Sequence, residues 1–160
     1  MRAPYIKLGF SQNRLFRMAI TGISHITFVV RDIDRTAKLW TECLGATEVY
    51  DSQSETFSVS REKFLVLGGV WIAIMQGEPG TRSYRHIAFQ ASCSDLSAIQ
   101  RSLQSFGVEI KPPRSRVNGE GESVYFYDFD DNLIEVHSGT LQERLARYGQ
   151  GRLPQPQGIN

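Results

Sequence analysis

One order of elements (strand, helix, then three strands) occurs twice in this chain, and that repetition limits the fold more than any other feature. The first copy opens at residues 24–30, SHITFVV. Alternation puts His25, Thr27 and Val29 on one face and Ile26, Phe28 and Val30 on the other. Asp32 or Asp34 can cap a helix over about 35–43, with Ala37, Leu39, Trp40 and Cys43 as its apolar stripe and Gly45 as its stop. Strands are predicted at 47–51, 56–67 and 70–76, the last two joined at Gly68-Gly69. The second copy opens at 85–91, RHIAFQA. Asp95 is expected to cap a helix over 96–106, with Leu96, Ile99, Leu103 and Phe106 at helical spacing and Gly107 after it. Strands follow at 108–111, 124–127 and 133–137.

Each half has one helix to cover one face of a four-stranded sheet, so the other face must be buried elsewhere. The predicted class is α+β: paired βαβββ modules, about 22–78 and 83–148, forming a cupped mixed sheet within one domain over 18–148. Two sheets facing each other would enclose a cleft lined by corresponding residues of both halves.

The repeat aligns His25 with His86, each near the start of an opening strand. It also aligns WIAIM (71–75) with LIEVH (133–137), so Ala73 stands opposite Glu135. In the last strand Leu133, Glu135 and His137 share a face. A carboxylate in mid-strand is either solvated or, if that face is inward, paired with a cation or metal. A lone His is ordinarily a satisfied core residue. Two in register across a repeat, with a carboxylate at a third symmetric place, instead make a set for a divalent metal. A methyl group at the fourth place leaves the ion open positions for water or substrate, as in a catalytic centre. Mn, Fe(II), Zn and Co all suit these donors.

The rest of the sequence sets bounds. A net charge of +1 gives no electrostatic case for nucleic acid or an anionic membrane. No apolar run is long enough to span a bilayer. Cys43 and Cys93 read as reduced, small core residues of a cytoplasmic protein, and neither has zinc-site neighbours. Residues 1–17 are basic without an acidic residue and read as a flexible extension ahead of Met18. Residues 149–160, rich in Gly, Pro and Gln, read as a flexible tail.

The repeated pattern with His25, His86 and Glu135 resembles the vicinal oxygen chelate superfamily, with its glyoxalase/bleomycin-resistance/dioxygenase-like fold. SHITFVVRD, SREKF, VWIAIMQGE, RSYRHIAF, KPPRSRV, GEGESVYFYD and EVHSGTLQERL together resemble the fosfomycin-resistance epoxide hydrolases within it. The similarity covers roughly residues 18–148. It implies a homodimer whose active sites combine modules of both subunits. It further implies Mn(II) on His25, His86 and Glu135, and addition of water to the oxirane of fosfomycin, a small phosphonate epoxide. Glu62, within SREKF, falls on the position of the family's general base. Arg144 falls where related enzymes hold an anion.

The residues agree with that chemistry. Epoxide opening needs a nucleophilic water and stabilisation of the departing oxygen. A metal supplies the second as Lewis acid, and Glu62 can take the proton of the water. The plainer reading of Glu62 is a surface residue paired with Arg61 or Lys63. A phosphonate needs donors, and Arg144 can grip two oxygens at once. Ser123, Tyr125, Thr27 and Tyr84 lie on or beside the same faces. Arg114 and Arg116 lie in the loop over 112–121, which can act as a lid; the sequence does not choose which of the two reaches ligand, and Arg116 is taken as the candidate. Thiol-transferring relatives usually carry a Lys and a Ser in this loop, where Ser115 and Gly119 stand here. Competing readings are a glutathione-type thiol transferase on the same antibiotic, an Fe(II) ring-cleaving dioxygenase, and a metal-free drug-binding module.

Overall fold

The computed structural model describes residues 20–113 and 121–149. The first half holds β1 (His25–Val30), α1 (Ile33–Leu44), β2 (Thr47–Asp51), β3 (Glu62–Leu67) and β4 (Val70–Gln76). The second holds β5 (His86–Gln90), α2 (Cys93–Phe106), β6 (Glu109–Ile110), β7 (Ser123–Tyr127) and β8 (Leu133–His137). A short helix, α3 (Leu141–Arg147), follows. The predicted βαβββ repeat is present in both halves.

The sheets have the same topology, β1-β4-β3-β2 and β5-β8-β7-β6. In each, the opening strand runs parallel to the last and the remaining pairs are antiparallel. The register repeats as well. Thr27 pairs with Ala73 and Phe64 with Ala73, while Ala88 pairs with Glu135 and Tyr125 with Glu135. The symmetric correspondence of Ala73 with Glu135 therefore holds in the pairing.

Both helices end on glycine in the left-handed region, Gly45 and Gly107, each at φ 74°. A side chain there would strain the backbone, so the chain leaves both helices at matching angles. Asp32 caps α1, its side chain accepting from the Arg35 N–H. The cap of α2 is Ser92, not Asp95, and the helix starts three residues earlier than expected. Ser92 Oγ accepts from the Ser94 N–H, which leaves Asp95 in the first turn, where a negative charge suits the helix dipole. Cys93, expected in the core, is exposed at the start of this helix, whereas Cys43 is buried in α1 as expected.

β3 also departs from expectation, beginning at Glu62 rather than 56. Phe57 and Val59 alternate with serines as a strand would, but β2 has already ended at Asp51. Among the described residues no strand pairs with them, and they are 69% and 81% exposed.

One apolar core joins the halves. Trp40 of α1 is fully buried and meets Phe28 at 5.0 Å and Phe89 of the second half edge-on at 5.7 Å. Leu39, Leu65, Ile72, Ile74, Leu103, Phe126 and Ile134 are likewise sealed from water. Each such side chain contributes roughly 1.5–3 kcal/mol. The halves meet through α1 and α2, and Arg31 reaches the buried Asp130 at 3.0 Å. The helices thus occupy the space between the halves. Within one chain the halves are joined through these helices and the shared core.

Candidate metal centre

β8 carries Glu135 in mid-strand, with its side chain on the face away from α2 and almost wholly buried. Parallel pairing of β5 with β8 brings His86 beside it: Nε2 lies 3.1 Å from Glu135 Oε2. The other imidazole nitrogen, Nδ1, lies 3.0 Å from the Tyr84 carbonyl, which can only accept. Nδ1 therefore carries a proton, and in the neutral ring Nε2 turns its lone pair toward the carboxylate. At that distance the nitrogen and the oxygen need a proton or a metal ion between them. Backbone anchoring of the second ring nitrogen is how proteins orient metal-binding histidines.

Antiparallel pairing of β7 with β8 adds Ser123 and Tyr125 to the same face. Ser123 Oγ is 2.5 Å from Glu135 Oε1, and the Tyr125 hydroxyl also bonds this carboxylate. Burial pushes the Glu135 carboxyl up. The two hydroxyls, and then His137 and His86, overcome this and hold it below the usual glutamate range. The side chain is thus kept anionic, as a metal ligand must be. Gly121, at φ 72°, leads into β7, and a Cβ there would collide with the Gly139 backbone.

Residues 22–136 match the family described as the Glyoxalase/Bleomycin resistance protein/Dioxygenase superfamily. The chain belongs to this superfamily. Within it, the chain is 51% identical over 130 residues to the fosfomycin resistance protein FosX of Listeria innocua, covering 81% of this chain and 98% of that one. It is 36% identical over 136 residues to the metallothiol transferase FosB of Shouchella clausii, covering 81% and 88%. The crystal structure of a FosX variant from Listeria monocytogenes, in complex with Mn(II) and 1S,2S-dihydroxypropylphosphonic acid, superposes with a TM-score of 0.75. It is 46% identical and covers 81% of this chain and 100% of that one.

The residues of this superfamily member fit a divalent ion. An imidazole lone pair and a carboxylate are hard-to-borderline donors, and their 3.1 Å separation suits neighbouring ligands. Donors at right angles on an ion with bonds of about 2.1 Å stand roughly 3 Å apart. His25 does not join them within one chain. It opens β1 on the first sheet, exposed, with its ring 4.5 Å from Trp71 and Nδ1 3.2 Å from Ser24 Oγ. Among the described residues, no group of three or more His, Cys, Asp or Glu is arranged to hold an ion.

The remaining candidates divide the same way. Thr27 and Glu62 share the His25 face of the first sheet, as the pairings with Ala73 and Met75 show. Glu62 is buried at the start of β3. Its N–H donates to Ser52 Oγ and its carbonyl accepts from the Ser52 N–H, both at 3.0 Å. Neither flanking cation pairs with it. Arg61 holds Asp34 at 2.8 Å and Asp51 at 3.1 Å, and Lys63 holds Asp51 at 2.9 Å and both Glu48 and Asp34 at 3.2 Å. The plain pairing of Glu62 with Arg61 or Lys63 is thereby corrected: strand alternation turns both neighbours to the opposite face.

Tyr84 is 60% exposed, with its ring 5.3 Å from that of His86. Arg144 is half-buried on α3. Arg116, with Arg114, Ser115 and Gly119, lies outside the described residues, as do the proposed extension 1–17 and most of the tail. Two neighbours of the site were given no role in the sequence reading. Tyr50 of β2 faces Phe64 and sits close enough to Glu62 that burial, and then this carboxylate, push its phenol up. His137 is the other. Tyr50 could have been found only by knowing that the β2 register shifts between Glu48 and Tyr50.

Proposed function

We propose that this chain is an Mn(II)-dependent epoxide hydrolase that inactivates fosfomycin by adding water to its oxirane, giving a vicinal diol phosphonate. The observation that carries the reading is a division of labour between the sheets: a prepared metal-ligand pair, His86 and Glu135, on one, and on the other a buried carboxylate, Glu62, that its flanking cations leave alone. The 51% identity to FosX, and a FosX structure holding Mn(II) and a dihydroxypropylphosphonate, supply the substrate class.

His86, Glu135 and His25 would hold the ion, which when bound acts as Lewis acid toward the oxirane oxygen. Glu62 takes a proton from the attacking water, so that its oxygen bonds to the ring carbon as the C–O bond breaks. The freed oxygen is then protonated and the diol leaves. Tyr84, Thr27, Ser123, Tyr125, Arg116 and Arg144 are assigned to the substrate. Arg144, and Arg116 from its loop, supply charge for the phosphonate. Other divalent ions with the same donor preferences are expected to bind.

Because His25 lies on a sheet remote from the His86–Glu135 pair, we assign the working form as a homodimer, each site built from both copies. The His25 face supports this. Val29, Val66 and Trp71 stay 37–39% exposed there, apolar surface that a second copy would cover. No helix among the described residues is long and apolar enough to cross a membrane, and a cytoplasmic location accords with two free cysteines.

The test is to incubate the purified protein with fosfomycin and Mn(II), with and without glutathione, and to follow the products by phosphorus NMR. A diol formed without thiol is expected. A product formed only with thiol would move the chain to the FosB type of reaction, and no turnover would overturn the assignment.

A further inference from the structure

The chain has three histidines, and the reaction described above uses two. The third, His137, ends β8 on the same face as Glu135 and is mostly buried. Its Nδ1 lies 2.8 Å from Ser123 Oγ, 2.9 Å from the Glu122 carbonyl and 3.8 Å from Glu135 Oε1. These distances fix the proton positions. A carbonyl only accepts, so Nδ1 carries hydrogen. A carboxylate also only accepts, so the Ser123 hydroxyl donates to Glu135 Oε1 and accepts from His137, whose one Nδ1–H is shared between Ser123 Oγ and the Glu122 carbonyl. The result is a directed chain from His137 Nδ1–H to the Ser123 hydroxyl to Glu135 Oε1.

The chain assigns the two oxygens of Glu135 different tasks. Oε1 is engaged by Ser123, and Oε2 is the oxygen 3.1 Å from His86 Nε2. We propose that His137 is a positioning residue for the metal centre: acting through Ser123, it locks the carboxylate rotor of Glu135 so that Oε2 is presented beside His86 for a divalent cation. The inference rests on the metal reading above and adds to it a residue that touches neither ion nor substrate. Hydrogen bonds behind a ligating carboxylate commonly govern affinity to this degree.

The test is titration of the full chain with Mn(II), followed by the electron paramagnetic resonance of the free ion. His137→Leu and Ser123→Ala should each weaken Mn(II) binding about 10- to 100-fold. His137→Asn, whose amide N–H replaces the Nδ1 donor, should stay within about threefold of the parent, since the hydrogen bond is kept. Parent-like binding by His137→Leu would overturn the proposal. So would His137→Asn as weak as His137→Leu, because packing alone would then explain the loss. If His137→Leu does not fold, the contrast between Ser123→Ala and His137→Asn decides on the same terms. His86→Ala separates the two levels. If it binds Mn(II) like the parent, the metal centre itself is misassigned. If it loses the ion while His137→Leu and Ser123→Ala keep it, only the role of His137 is wrong.

Discussion

Glu62 and Lys63 are consecutive in β3 and lie on opposite faces of the first sheet, so the nearest cation in sequence is spent on Asp51, Glu48 and Asp34 rather than on Glu62. A base that neither flanking cation engages remains available to water. Glu62→Gln should therefore lower diol formation about 10²- to 10⁴-fold, the usual worth of a positioned base. Mn(II) affinity should stay at the parent value. Full activity in the glutamine variant, measured by phosphorus NMR, would remove Glu62 from the reaction.

His25 and His86 lie on different sheets, and among the described residues of one chain His25 is not grouped with His86 and Glu135. Mixing the inactive variants His25→Ala and His86→Ala, with time for subunits to exchange, should restore about a quarter of parental turnover. Random reassortment makes half the pairs mixed, and each mixed pair keeps one intact site of two. No recovery would mean that each site is built from a single copy.

Lys63 is 7% exposed and holds three carboxylates. Removing it leaves them facing one another. Breaking a buried pair costs about 3–5 kcal/mol. Asp34 and Glu48 are 59% and 36% exposed, so solvent screening reduces this to about 2 kcal/mol. Lys63→Ala should lower the melting temperature by roughly 4–8 °C in a calorimetric scan.

Asp51 predicts an acid limb in stability. Burial alone would push its carboxyl up, but the Gln53 N–H, Lys63 and Arg61 together hold it down to about 2. In the unfolded chain it titrates near 3.9. A depressed carboxylate stabilises the fold above the unfolded value, and this contribution disappears as pH falls through 4 toward 2. Asp51→Asn should flatten that limb in urea midpoints measured from pH 5 to pH 2. Lys63 behaves oppositely. Burial lowers it, its carboxylates overcome this and raise it, and its contribution is lost only as pH rises through that raised value.

Much of this was legible in the sequence where the signal was local. The strands at 47–51, 70–76 and 133–137 fall where alternation and glycine punctuation put them, and Asp32 and Gly45 bound α1 as their chemistry suggests. Misreadings arose where local rules competed. Ser92 and Asp95 are both good caps, and only the path of the chain out of β5 chooses between them. Phe57 and Val59 have a strand's alternation but no partner, a fact about neighbours rather than about themselves. His86 and Glu135 could be paired in advance because the repeat encodes their register. The donor to the Ser123 hydroxyl could not, since it depends on which residue of β8 stands opposite. That residue, His137, looks in sequence like one more member of an alternating strand.

Dividing the metal ligands between two sheets has a genetic consequence. Catalysis would belong to the couple rather than to the polypeptide, so a cell making a defective allele beside a sound one would tie up healthy copies in compromised partnerships. Dilution would have a similar effect in a test tube: turnover per molecule would fall as the couples separate, while each chain kept its helices and sheets.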